Sequence, residues 1–233
     1  MSFEKINTTV DCLYVNGCSW TYGVGLEEST RLQQCWAALI AKHLNIELIM
    51  GAMPGSSNPR ILRTSVQDLD KLVKQGRKPF VLIAWSHLHR YELNRLDNNK
   101  WDTFAGSTND GDLEIAKLIT AKYNSDPGNV ENFIVQLLLF QSYIRDRELP
   151  SMTTPTFQIH YDALKRDYLL EISERVDKDL FLYDFNLRSY LNTFGTARVG
   201  GPGSDHPGVE GHELLAEFLI RQLERRYNFN VSK

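Results

Sequence analysis

Phe80-Val81-Leu82-Ile83-Ala84 is an unbroken apolar run. It is too short for a buried helix and shows no polar alternation. It therefore reads as a central strand of a parallel sheet, covered on both faces. Upstream, residues 10–15 and 46–50 read as two more buried strands, ending at Asn16-Gly17 and at Gly51. Between them, residues 31–44 carry Leu32, Cys35, Trp36, Leu39 and Ile40 at helical spacing, and residues 59–75 repeat the pattern with Leu62, Val66, Leu69 and Val73. Downstream, residues 129–147 predict a helix through Val130, Phe133, Ile134, Leu137, Leu138 and Ile144. Residues 156–159 and 180–183 are the later strand candidates, with a polar helix over about 162–176 between them. A last helix, over about 209–227, buries Leu215, Phe218, Leu219 and Leu223. This alternation predicts a three-layer α/β fold (αβα) around a parallel sheet of about five strands.

The chain of 233 residues reads as one domain, 1–233, with 42% hydrophobic residues to fill its core. Residues 94–128 break the pattern: they are polar, hold Asn98-Asn99, Asn109-Asp110-Gly111-Asp112 and Asp126-Pro127-Gly128, and read as an insertion. It contains a short helix candidate at 113–121 and is either a lid or binding loop or a surface excursion. A net charge of −3 and scattered basic residues, with Arg225-Arg226 no more than a pair, argue against a nucleic-acid partner. No apolar run reaches the ~20 residues of a membrane helix. Three cysteines (Cys12, Cys18, Cys35) without a disulfide rhythm, and an amino terminus without an export pattern, predict a cytoplasmic protein.

Ligands of an open parallel sheet bind outside the carboxyl ends of its strands. The loops there are Gly17-Cys18-Ser19-Trp20-Thr21 after the first strand, Gly51 to Asn58 after the second, and Trp85-Ser86-His87-Leu88-His89-Arg90 after the third. Near the other end of the chain, Asp205-His206-Pro207 precedes the last helix. A serine hydroxyl is a weak nucleophile until a base takes its proton, and the base needs an orienting partner. Bringing Ser19 to Asp205-His206 would assemble those parts. Taken singly, each loop also reads as ordinary turn or capping sequence. Asp205, His206 and His212 are metal-ligand types too, but a separation of six between the histidines does not put two ligands on one helix face, so no metal is expected. A phosphate-loop reading of Gly17 to Thr21 lacks the glycine and Lys-Ser/Thr pattern it needs. No cofactor is expected.

Together these blocks resemble the SGNH/GDSL hydrolases. Gly17-Cys18-Ser19-Trp20-Thr21 is similar to the first block, usually Gly-Asp-Ser-Leu-Thr; Gly55-Ser56-Ser57 to the second; and Asp205-His206-Pro207 with Gly211-His212 to the last. The resemblance spans residues 10 to about 225. It implies a flavodoxin-like αβα fold and an acyl-enzyme mechanism. Ser19 would be the nucleophile and His206 the base, with the Ser19 and Gly55 N–H groups as oxyanion donors. Three departures stand out. Cys18 replaces the family aspartate beside the serine. Gly203 occupies the usual place of the acid, which leaves Asp205, Asp184 or a dyad without an acid, Asp205 being preferred. The Gly-x-Asn-Asp block is missing after the third strand, so Ser86 or His87 would replace its oxyanion asparagine. Gly106-Ser107-Thr108-Asn109-Asp110 mimics that block but has no strand before it.

Trp20, Trp85 and Asn58 are the candidate substrate contacts. The two tryptophans read equally well as core, and Asn58 as the N-cap of a helix with Pro59 at N1. The expected substrate is an ester, a small O-acyl group on a carbohydrate or metabolite. An acyltransferase and a non-catalytic binding module of the same fold are the alternatives.

Overall fold

A computed structural model of the protein describes residues 5–94, 100–104, 126–159, 167–182, 185–195 and 205–231. In chain order the strands are β1 (Ile6–Val10), β2 (Cys12–Asn16), β3 (Glu47–Met50), β4 (Pro79–Trp85), β5 (Tyr91–Asn94), β6 (Trp101–Phe104), β7 (Ser151–Pro155) and β8 (Tyr227–Val231). The helices are α1 (Ser19–Tyr22), α2 (Arg31–Gln34), α3 (Trp36–Leu44), α4 (Asn58–Lys74), α5 (Asp126–Asp146), α6 (Asp167–Glu174), α7 (Leu187–Asn192) and α8 (Val209–Arg226).

The central sheet is parallel throughout, in the order β3-β2-β4-β7. A fifth position is begun beyond β7. There the Thr153 N–H donates to Leu180 O at 2.7 Å, and the Leu182 N–H donates to Thr153 O at 2.9 Å. Strand periodicity sorts the core into two. Leu13, Val15, Phe80, Leu82 and Ala84 pack with Trp36 and Ile40 of α3 and Leu215, Leu219 and Leu223 of α8. Tyr14, Val81, Ile83 and Trp85 pack on the other face with Ile61 and Leu69 of α4 and Phe133, Leu137 and Phe140 of α5. All of β4 is buried, as its sequence predicts.

Four elements differ from the sequence reading, each for a physical reason. The expected strand over 10–15 is two strands, because Asp11 turns aside to pair with Arg77 at 3.2 Å and to accept from the Lys78 N–H. β1 then pairs in parallel with β8 in a separate two-stranded sheet. The helix expected over 31–44 breaks at Cys35, which is extended (φ −66°, ψ 147°); the break presents the Trp36 N–H to His212 Nδ1 at 3.2 Å. The strand expected at 156–159 lies earlier, at β7, where Ser151, Thr153 and Thr154 are buried despite their hydroxyls. Ser57 caps α4, accepting from the Arg60 N–H, so Asn58 is inside the helix.

Of the expected insertion, the described part includes β6, which pairs with β5 as an antiparallel hairpin. The helix candidate at 113–121 and the 106–110 stretch lie outside the described residues. No helix of the described residues is long and apolar enough to cross a membrane.

Candidate active site

The loop that carries Ser19 is held by its neighbours. Asn16, fully buried at the end of β2, accepts from the Gly17 N–H at 2.8 Å. Its amide nitrogen lies 2.9–3.1 Å from Tyr14 Oη, Thr64 Oγ1 and Ser65 Oγ, which ties the loop to α4. A Cβ on Gly17 would stand 2.2 Å from Thr21 Oγ1 and 2.9 Å from Ala84 O, so only glycine fits there. Cys18 is extended and buried, and Ser19 starts α1. By that position its N–H has no partner within the helix.

Ser19 Oγ lies 2.9 Å from His206 Nε2, across 187 residues of chain. His206 sits just before α8. Gly25 (φ +103°) packs against it: a Cβ there would lie 3.2 Å from His206 Cβ and 3.1 Å from Pro207 O. Burial holds the His206 pKa below its ordinary value; the Asp205 charge opposes this, and the Arg90 charge reinforces it. The imidazole is therefore neutral at pH 7, as a proton acceptor must be. Asp205 is exposed and acts on the ring through its charge. Asp184 lies outside the described residues.

The third loop is built differently. Asn58 clamps it: Oδ1 accepts from the Ser86 N–H at 2.7 Å, and Nδ2 donates to Ser86 O at 3.2 Å. Ser86 Oγ accepts from Arg90 Nη1 at 3.0 Å, and the same nitrogen donates to Ser56 O at 3.2 Å. His87 stacks face to face on Phe157, with ring centres 3.5 Å apart, and burial pushes its pKa down to about 4. A cleft of about 400 Å³ opens beside this stack, lined by His87, Phe157, Gln158, Asn186, Arg188 and Asn192 among others.

The structure thus brings Ser19 and His206 together with Asp205 alongside. It links Ser86 to the second loop through Asn58 and Arg90. Gly55 lies in that loop at φ +77°, with open space where a Cβ would be. The three substrate contacts need correction. Trp85 is fully buried, edge-on to Phe133 and Phe140. Trp20 is 5% exposed, in the core against Phe157. The Asn58 side chain is spent on Ser86, so all three hold the loops in place from within. His212 is also buried. Its Nδ1 accepts from the Trp36 N–H, and burial lowers its pKa to about 3. Sequence reasoning missed Arg90, Gly25 and Phe157. The only available signal was that Arg90 and Phe157 flank the third loop and β7.

Fold and site together define a protein of the SGNH/GDSL hydrolase fold. The psychrotrophic esterase EstA from Pseudoalteromonas sp., in a structure inhibited by monoethylphosphonate, is similar with a TM-score of 0.53 and 15% identity, over 92% of this chain and 97% of that one. The acetyl xylan esterase Est2A from the rumen bacterium Butyrivibrio proteoclasticus gives 0.52 and 15%, over 95% of this chain and 65% of that one. TesA gives 0.50 and 13%, over 92% and 98%. At these identities the likeness is one of fold. The chain belongs to a family of unknown function, DUF6071, whose model matches residues 21–229. No curated protein matches the chain.

Proposed function

We propose that the protein is a serine ester hydrolase in which Ser19 is the nucleophile and His206 the general base. The observation that carries this reading is the 2.9 Å contact between Ser19 Oγ and His206 Nε2, within the reach that proton transfer needs. With Nε2 accepting, the imidazole proton resides on Nδ1. Ser19 Oγ attacks the ester carbonyl as its proton passes to Nε2. The N–H groups of Ser19 and Gly55 receive the oxyanion. Collapse of the tetrahedral adduct expels the alcohol, which takes the proton back from His206, and leaves an acyl-serine. Water activated by His206 then releases the acid and restores the serine. An alcohol in place of water would make the same site an acyltransferase. Asp205 supports the imidazolium through its charge. The fold neighbours include an acetyl xylan esterase, and a small O-acyl group on a carbohydrate or metabolite is the substrate class we favour.

Hydrolysis of 4-nitrophenyl acetate and butyrate by the wild type and by Ser19→Ala tests this. Turnover is expected in the wild type, with at least about a thousandfold loss in the mutant. Comparable turnover in both removes Ser19 from the mechanism, and none in either favours a binding module.

A further inference from the structure

Of the described arginines, Arg31, Arg63, Arg77, Arg147 and Arg221 each pair with a carboxylate, and Arg145, Arg175, Arg188 and Arg225 are exposed. Arg60, Arg90 and Arg226 are partly buried without a carboxylate partner among the described residues. Arg226 holds Lys178 O at the far end of α8, whereas Arg60 and Arg90 grip Ser56, the neighbour of Gly55. Arg60 Nη1 donates to Ser56 Oγ at 3.0 Å, and Arg90 Nη1 donates to Ser56 O at 3.2 Å. Glu92, whose charge acts on Arg60, is 2% exposed at its side chain and already held by two Arg63 nitrogens, at 2.6 and 3.2 Å. Arg90 is also fixed to Ser86, so its head is set between the second and third loops, and its charge reaches both His206 and His87. Its Nε is buried without a partner.

A cation held in place by neutral oxygens and left without a counter-charge is costly to bury. At the mouth of a site it has a use, because a fixed guanidinium recognises carboxylate and phosphate oxygens. Asp205, exposed beside His206, is the one acid whose charge acts on the dyad histidine among the described residues, and it lies on the opposite segment.

We propose that Arg90, backed by Arg60, forms an anion subsite beside the Ser19–His206 pair, so that the ester bound there carries a carboxylate or phosphate near its reacting carbonyl. This rests on the hydrolase reading for the word ester, but not for the anion. The departure from the family pattern then has a sense: the third loop has exchanged a neutral amide donor for a fixed cation.

The test is calorimetric binding to Ser19→Ala, which does not turn the ligands over, with and without Arg90→Gln. The probes are monomethyl succinate, methyl phosphate and, as a neutral control, dimethyl succinate. The anions are expected to bind more tightly than the diester. Arg90→Gln should weaken them about 10- to 100-fold, the worth of a charged hydrogen bond, and salt should weaken them as well. The relative response of the two anions tells carboxylate from phosphate. A loss equal for charged and neutral probes, or anions no tighter than the diester, overturns the proposal. If Arg90→Gln fails to fold, the anion preference of Ser19→Ala and its salt dependence still decide. Anion binding by a wild type that cleaves no ester would sink the hydrolase reading and leave the subsite standing. Ester turnover with no anion preference does the reverse.

Discussion

The loops after β2 and β4 lie side by side at one end of the sheet, and they are secured in different ways. The first is fixed at two adjacent residues, Asn16, which is also anchored to α4, and Gly17, which is packed against β4. Asn16 bonds the Gly17 N–H, Gly17 leaves no room for a side chain, and Ser19 emerges at the start of a helix within three residues of the strand. The second is fixed from elsewhere in the chain. Asn58 supplies both bonds to the Ser86 backbone, Arg90 ties Ser86 Oγ to Ser56, and Phe157 stacks on His87. Ser19 is placed by two residues just before it, and the neighbouring loop by Asn58 and Phe157 from other segments, so the first tolerates little change while the second is open to redesign.

The largest effect should come from Gly17→Ala. Its Cβ would overlap Thr21 Oγ1 and the β4 backbone at Ala84 O, and backbone cannot move aside cheaply. A loss of about 3 kcal/mol or more is expected in urea unfolding, at the upper end for overpacking; a midpoint within error of the wild type would break the claim that Gly17 fixes this loop. Gly25→Ala comes next. An alanine strains the positive-φ backbone, at about 1–3 kcal/mol, and its Cβ meets His206 Cβ and Pro207 O, so His206 should be misplaced as well. A fall in kcat on the order of 100-fold is expected at temperatures where the variant is still folded. An unchanged kcat at those temperatures would make Gly25 merely structural. Asn58→Ala removes the clamp on the third loop and leaves the Ser86 N–H unpaired, at a cost of about 1–3 kcal/mol. Ester turnover should fall with it, but Ser19 should still react with an organophosphonate. Loss of that labelling would mean that the two loops are not independent.

This contrast also explains what could be read from the chain. β4 was legible because residues 80–84 are all apolar, and the meeting of Ser19 with His206 because each belongs to a short segment of distinctive sequence. β7 was displaced because Ser151-Met152-Thr153-Thr154-Pro155 looks polar, yet all five residues are buried. The break at Cys35 depends on a bond from Trp36 to His212, 176 residues away, and the split at Asp11 on Arg77, so no window along the sequence contains either cause. The acid and the third oxyanion donor were the uncertain parts of the site for the same reason. Trp20, Trp85 and Asn58 look like ligand contacts in a loop-by-loop reading because burial is a tertiary property. Arg90 lies at the end of the loop after the third strand. Its standing comes from what it touches and from the carboxylate it lacks.

The smallest expected effect is the most specific, since it asks how the two sides of the site share control of one proton. In the proposed mechanism His206 must be neutral to accept the Ser19 proton, so activity should fall as pH drops through its folded pKa. Burial has already moved that value below the ordinary imidazole range, which places the acid limb of the ester-hydrolysis profile below about pH 6.5. Asp205 favours the charged ring and so raises the pKa; removing its charge in Asp205→Asn should carry the acid limb to still lower pH. Arg90 disfavours the charged ring, so Arg90→Gln should carry the limb to higher pH. The two displacements have opposite signs although both variants lose one charge, a pattern that general destabilisation does not produce. Limbs moving in the same direction would show that the third loop does not act on the base electrostatically, and that Asp205 and Arg90 are not the opposed charges around His206.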